Sequence, residues 1–182
     1  MIFGEEHEVL HADDPKDFRQ IYDSNIQLLF KISYRVVGEE EAAEDLVHDS
    51  LIKMNEKKMI FNTMDDAKFW LIRVVKNNSL NYAKRKVREK KAYEKALYED
   101  HRKQSSGEDD YLKKDAQKQT TEALNKLPEK LRSILILREY AELNYKEIAR
   151  VLGITEGNVK IRMFRAREQL AKLIGEENVY LS

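Results

Sequence analysis

Apolar residues in this chain recur at steps of three and four, and residues 18–91 carry no strand-like alternation, so the predicted elements are helices. Asp14 as cap and Pro15 in the first turn open a helix running to about Val37, with Phe18, Ile21, Tyr22, Ile26, Leu29, Phe30 and Ile32 as its stripe. After Gly38 a second helix spans Glu39 to about Lys57 and turns Ala42, Ala43, Leu46, Val47, Leu51 and Met54 inward. Met59 to Asp66 lacks periodicity and is predicted to be a loop. A third helix follows from about Ala67 through Lys91, packing through Phe69, Trp70, Ile72, Val74, Val75 and Leu80. The pattern collapses between Glu99 and Lys118, where Ser105-Ser106-Gly107 precedes Glu108-Asp109-Asp110, and this stretch is predicted to be a linker. Gln119 to Lys126 is helical again, Leu127-Pro128 restarts the helix, and Leu131, Ile134, Leu135, Leu137 and Tyr140 supply a second core.

That core receives Asn144 to Leu170, NYKEIARVLGITEGNVKIRMFRAREQL, which reads as a helix-turn-helix. Asn144 with Glu147 forms a capping-box signature, and Ile148, Ala149 and Leu152 make the apolar edge of the first helix. Gly153 permits the tight turn, Ile154 plugs the angle, and Thr155 caps the second helix. In that helix Val159, Met163, Ala166 and Leu170 point inward while Lys160, Arg162, Arg165 and Arg167 stay outside, leaving a cationic edge suited to DNA.

The expected fold class is therefore all-α, with two small helical domains joined by a flexible polar linker. The divisions are an N-terminal arm 1–14, a first domain 15–98, a linker 99–118, the helix-turn-helix domain 119–175 and a tail 176–182. The linker averages about 25 Å end to end as a coil and reaches about 68 Å extended, enough to serve DNA segments one to two ~34 Å turns apart.

Charge sharpens this picture. The 33 basic and 33 acidic residues cancel, yet they are sorted along the chain. Glu39, Glu40, Glu41, Glu44, Asp45 and Asp49 form an acidic run, which by composition alone is a solvated helix face. Arg73 to Lys91 holds eight Lys or Arg against the single acid Glu89, and its amides and Tyr82 suit phosphate and unstacked bases. The absence of cysteine removes disulfides and thiolate metal sites, which fits a reducing compartment. With an acidic N-terminus and no apolar run near ~20 residues, neither a signal peptide nor membrane insertion is expected, and the expected location is cytoplasmic.

HEVLH at His7 to His11 matches the H-E-x-x-H pattern of zinc hydrolases. That chemistry needs a rigid helix and a third ligand, whereas the pentapeptide stands at the chain start and Asp13-Asp14-Pro15 closes it at once. The favoured reading is an N-terminal arm with Val9 and Leu10 packed lightly on the following helix. No metal or other cofactor is expected.

Three segments together resemble the extracytoplasmic-function (ECF) sigma factors, promoter-recognition subunits of bacterial RNA polymerase. AEDLVHDSL at Ala43 to Leu51 is similar to the family's AEDLVQE-type helix. FWLIRVVKNNSLNYAKRK at Phe69 to Lys86 resembles its W-L-x-R-I-x-x-N-x-x-x-D-x-x-R-R segment, and LPEKLRSILILREYAELNYKEIARVLGITEGNVKIRMFRAREQL looks like its closing domain. The resemblance covers about Phe18 to Leu173. It implies a non-catalytic adaptor whose first domain grips the polymerase clamp helices and reads the minus-ten element, and whose second binds the flap and the minus-thirty-five element.

By that resemblance Asp45, Leu46, His48 and Asp49 dock on core polymerase, which reverses the solvated-face reading. The loop at Asn62 to Asp66, with Asn62, Thr63 and Asp65, captures a flipped base, and Asn77, Asn81, Lys84, Arg85 and Arg88 hold the melted strand. Asn158, Lys160, Ile161, Arg162, Phe164 and Arg165 serve the minus-thirty-five element, Lys160 and Arg165 toward guanine edges or phosphates, Ile161 and Phe164 toward thymine methyls unless they pack in the core. His48, Asn81, Asn158 and Ile161 depart from the family's usual glutamine, aspartate, threonine and small polar residue, which bears on promoter preference. An anti-sigma factor is a further partner the family allows. The competing reading is a helix-turn-helix regulator that binds duplex DNA without joining polymerase.

Overall fold

The computed structural model describes residues 9–100 and 123–174. Its elements run β1 (Leu10–His11), α1 (Pro15–Val37), α2 (Glu40–Glu56), β2 (Ile60–Phe61), α3 (Met64–Asp100), α4 (Glu129–Leu135), a π-helical segment (Ile136–Tyr140), α5 (Tyr145–Leu152) and α6 (Glu156–Ile174). The linker from residue 101, residues 119–122 of the expected helix, the tail, and His7 and Glu8 of the HEVLH motif lie outside the described residues.

Local chemistry sets the boundaries of α1. The Asp14 carboxylate accepts from the Lys16 and Asp17 amides at 2.9 and 3.1 Å, satisfying donors that the first helical turn leaves free. At the other end Gly38 adopts φ 77°, a left-handed conformation that costs a side-chain-bearing residue about 1 kcal/mol or more. Ile21, Leu29 and Ile32 are fully buried against α2 and α3, joined by Val47, Leu51, Met54, Leu71, Ile72 and Leu80. Each such side chain contributes about 1.5–3 kcal/mol by leaving water. Small polar pairs fix the register: Ser33 and Ser79 hydroxyls meet at 2.9 Å in the core, and Asn78 donates to Ser50 at 3.1 Å.

Two departures from the helical pattern occur at the first domain's end. β1 and β2 pair antiparallel, Leu10 with Phe61 and His11 with Ile60, so the arm is strapped to the expected loop rather than laid on a helix. Leu10, Ala12 and Phe61 are buried there. A two-residue strand is too short to register as alternation. Secondly, α3 begins at Met64, three residues before the expected start, because the Thr63 hydroxyl accepts from the Asp66 amide at 3.1 Å. Extended backbone at Leu10–His11 also denies HEVLH the continuous helix a zinc hydrolase requires.

The second group of helices is built on Leu131, Ile134, Leu135, Ile136 and Leu137, with Ile148 and Val151 from α5 and Val159, Met163 and Ala166 from α6. The capping box closes as read: the Glu147 amide donates to Asn144 at 2.9 Å, and the Asn144 amide to Glu147 at 2.8 Å. Gly153 turns the chain at φ 66°, and Ile154 packs partly buried against the core.

Candidate nucleic-acid interface

The recognition edge of α6 is open. Thr155 caps the helix through the Asn158 amide at 3.3 Å, and the inward residues Val159, Met163 and Ala166 leave Asn158, Lys160, Ile161, Phe164 and Arg165 exposed, with Arg162 half-buried at the margin. Phe164 is 71% and Ile161 52% exposed, so neither is a core residue. Two large apolar side chains in water among cations form a surface of the kind that meets thymine methyls in a major groove. Lys160 lies 3.6 Å from Glu156 in the first turn, a solvent-screened pair that leaves it available.

The acidic helix forms one wall of an open cleft of about 1280 Å³. Asp45, Leu46 and Asp49 line it with Glu40, Glu41 and Ile52, while Asn78, Asn81, Tyr82 and Arg85 of α3 form the opposite wall. Leu46 and Ala42 are only half-buried, facing this cleft rather than the core. His48 is exposed on the same helix but does not line the cleft. Glu39 belongs to the acidic run by sequence but is neutralised within the fold: Lys86 donates to it at 2.7 Å and the Tyr82 hydroxyl at 3.1 Å, and the Lys86 hydrogen bond holds its carboxyl below the usual range.

The basic residues of α3 divide between two depressions. Asn81 and Arg85 face the acidic cleft, Arg85 also lying over the Tyr82 ring at 5.3 Å. Lys84 and Arg88 face a smaller one of about 370 Å³, with Val87, Asn125, Leu127, Glu129 and Arg132. Asn77 is exposed. In the loop, Asn62 and Asp65 are exposed, while Thr63 donates to the Asp66 carboxylate at 2.9 Å.

Periodicity gave no sign that the two helical groups pack on each other. Arg73 donates to the Val151 and Arg150 carbonyls at 2.6 and 2.9 Å, meeting the negative end of α5. Arg150 pairs with Asp66 and lies 5.0 Å over the Phe69 ring. Lys84 pairs with Glu129, and Lys31 donates to Glu142 at 2.6 Å. Glu142 is itself in the left-handed region at φ 56°. Inside the seam Lys76 and Arg132 are 4% and 5% exposed. Among the described residues Lys76 has only the Ser133 hydroxyl at 3.4 Å. Arg132 reaches Asn125 at 2.7 Å, and its Nε finds no acceptor among the described residues. Burial pushes the pKa of both cations down, whereas Lys84 and Lys31 hold Glu129 and Glu142 below the usual carboxylate range. Sequence could not foresee buried Lys76 or Arg132, since each reads as one more cation on a polar face.

An acidic cleft, a basic helix and a helix-turn-helix with an open cationic edge define a two-part, all-helical DNA-binding protein. Family models for Sigma-70 region 2 and Sigma-70 region 4 match residues 21–89 and 117–170. The RNA polymerase sigma-H factor of Pseudomonas aeruginosa is 30% identical over 150 residues, covering 77% of each chain. The RNA polymerase sigma factor YlaC of Bacillus subtilis is 29% identical over 166 residues, covering 89% of this chain and 92% of the relative. Among solved structures, the sigma factor RpoE of Bartonella quintana, in complex with the anti-sigma factor NepR, superimposes with TM-score 0.58 at 25% identity over 87% of this chain and 97% of that one. The chain belongs to the sigma-70 family of RNA polymerase sigma factors, in its extracytoplasmic-function branch. It is a transcription initiation factor that acts with core RNA polymerase in promoter recognition.

Proposed function

We propose that α2 docks on the clamp helices of core polymerase through Asp45, Leu46 and Asp49, with His48 beside them, while α6 reads the minus-thirty-five element through Lys160, Ile161, Phe164 and Arg165. The domain around α4 to α6 also meets the flap. The loop from Asn62 to Asp66 takes a base flipped from the non-template strand, and Asn77, Asn81, Lys84, Arg85 and Arg88 hold that strand's backbone. The protein works in the cytoplasm, performs no chemistry of its own and uses no metal or cofactor. An anti-sigma factor is a further partner, since RpoE of Bartonella quintana is held by one.

The observation that carries this reading is the open cleft of about 1280 Å³, where exposed carboxylates and the half-buried Leu46 face Asn81 and Arg85. A plain duplex-binding regulator has no use for an acidic groove beside a single-strand surface. The test adds purified protein to sigma-free core polymerase with a promoter library and asks for start-site-specific transcripts. Duplex binding without core-dependent initiation would establish the regulator instead. Changing Asp45 and Asp49 to lysine is expected to impair core assembly severely while leaving the binding of upstream duplex intact, and unchanged core affinity would refute this docking surface.

A further inference from the structure

The outer face of the two-stranded ribbon carries two side chains to which no role has been given. His11 and Ile60 are cross-strand partners, so their side chains share one face, opposite the buried Leu10 and Phe61. Both are exposed, Ile60 at 59%. Asn62, also exposed, follows β2 where the chain bends into the loop. An imidazole and an aliphatic side chain thus form an exposed row on one face, with an exposed amide two residues beyond it at the mouth of the loop.

The ribbon beneath this row is firmly held. The Ala12 amide donates to the Met59 carbonyl at 2.8 Å, Asn55 donates to the Ala12 carbonyl at 2.8 Å, and the His11 amide donates to Asp17 at 2.9 Å. On the inner side Phe61 packs against Trp70 with ring centroids 6.0 Å apart. Lys57 and Lys58 are exposed where the chain enters the ribbon, and Lys58 bends back at φ 48°. Lys58 has a carboxylate neighbour, Asp13 at 3.8 Å, and both side chains remain largely in water.

We propose that His11 and Ile60 form a stacking step for a second unstacked base of the non-template strand, next to the base taken by the Asn62–Asp66 loop. This rests on the loop reading above and extends it. Single-stranded nucleic acid is held by flat or apolar platforms for base faces with cations along the backbone. The row supplies the platform, and Lys57 and Lys58 supply the cations. One exposed isoleucine flanked by a histidine, an amide and two lysines is too small and too polar an area for a protein partner. β2 runs directly into the loop, so Ile60 lies at most about 7 Å along the chain from Asn62, within reach of a nucleotide next to the one the loop takes.

The experiment uses holoenzyme reconstituted from core polymerase and the full chain, with promoters randomised across the minus-ten element and open complexes scored by permanganate reactivity of unpaired thymines. His11→Ala and Ile60→Ser are expected to lower open-complex formation about fivefold or more. They should also flatten the sequence preference at one position beside that altered by Asn62→Ala, with core affinity and upstream duplex binding unchanged. His11→Phe, which keeps a stacking ring, is expected to restore opening, whereas His11→Leu restores less; a purely structural role would not separate these two. If His11→Ala and Ile60→Ser keep the wild-type profile while Asn62→Ala alters its own position, the stacking step is wrong and the loop reading stands. If Asn62→Ala also leaves the profile unchanged, the loop does not read this element and the inference falls with it.

Discussion

The two surfaces proposed to meet DNA differ in what already occupies them. On α6, Ile161, Phe164 and Arg165 project into water, and among the described residues Lys160 shares its charge only with a neighbouring glutamate. On α3, Lys84 is paired with Glu129 from the other helical group, and Asp66 at the end of the loop is paired with Arg150. One surface is available as folded, and the other is engaged by the chain's own second half. On the proposed roles, duplex recognition meets an open edge, whereas holding the melted strand through Lys84 competes with its solvent-exposed pair to Glu129.

The largest effect is expected where nothing needs to move. Replacing Lys160 and Arg165 together by alanine removes up to two base contacts, each worth about 1–3 kcal/mol, and is expected to weaken upstream duplex binding by at least about tenfold. Thermal stability should hold, because both side chains are exposed. Normal duplex binding by this variant, measured by fluorescence anisotropy, would show that the reading edge lies elsewhere. A smaller change sharpens the contrast from the other side. Glu129→Gln frees Lys84 from a solvent-screened partner worth about 0–1 kcal/mol, so binding of a single-stranded minus-ten oligonucleotide is expected to rise by up to about fivefold while duplex binding stays level. A fall in single-strand affinity would mean that Glu129 positions Lys84 rather than competing for it.

The smallest effect is a dependence on pH. Glu129 and Glu142 have carboxyl groups held low by Lys84 and Lys31 across the seam, so the closed form binds fewer protons than the open one. Their contribution is present above the ordinary carboxylate range and is lost as pH falls through their depressed values. Lys76, whose pKa is lowered by burial, has the same sign but acts over a window just below the ordinary lysine value, so the carboxylate range reports the two glutamates. Energy transfer between dyes on the two halves should therefore report a more open chain as pH is lowered toward the carboxylate range. Constant transfer across it would show that these pairs do not hold the seam.

Much of the fold was legible because it obeys local rules. Asp14, Gly38, Asn144 and Gly153 mark helix ends by chemistry that acts within a few residues, and the structure shows those caps closed. The apolar stripes of α1 and α6 were legible for the same reason. The ribbon was not, because its stability comes from burying Leu10 and Phe61 across a separation no local window spans. Leu46 fits the core stripe by its helical period, yet it stands half-buried at the cleft. Exposure of Ile161 and Phe164 also needed coordinates, since a helical period places a residue on a face without saying whether another element covers it.

The seam's interior differs from an ordinary core in one respect. Lys76 comes from one half of the chain and Arg132 from the other, and closing the molecule brings these like charges out of water with the partly exposed Glu129 as the carboxylate between them. Desolvation of both cations therefore opposes the join while the surrounding ion pairs and apolar contacts favour it. The join resembles a clasp with a costly lining: burying the two cations offsets part of what its ion pairs and apolar contacts contribute, so the margin that keeps it shut is narrower than those contacts imply.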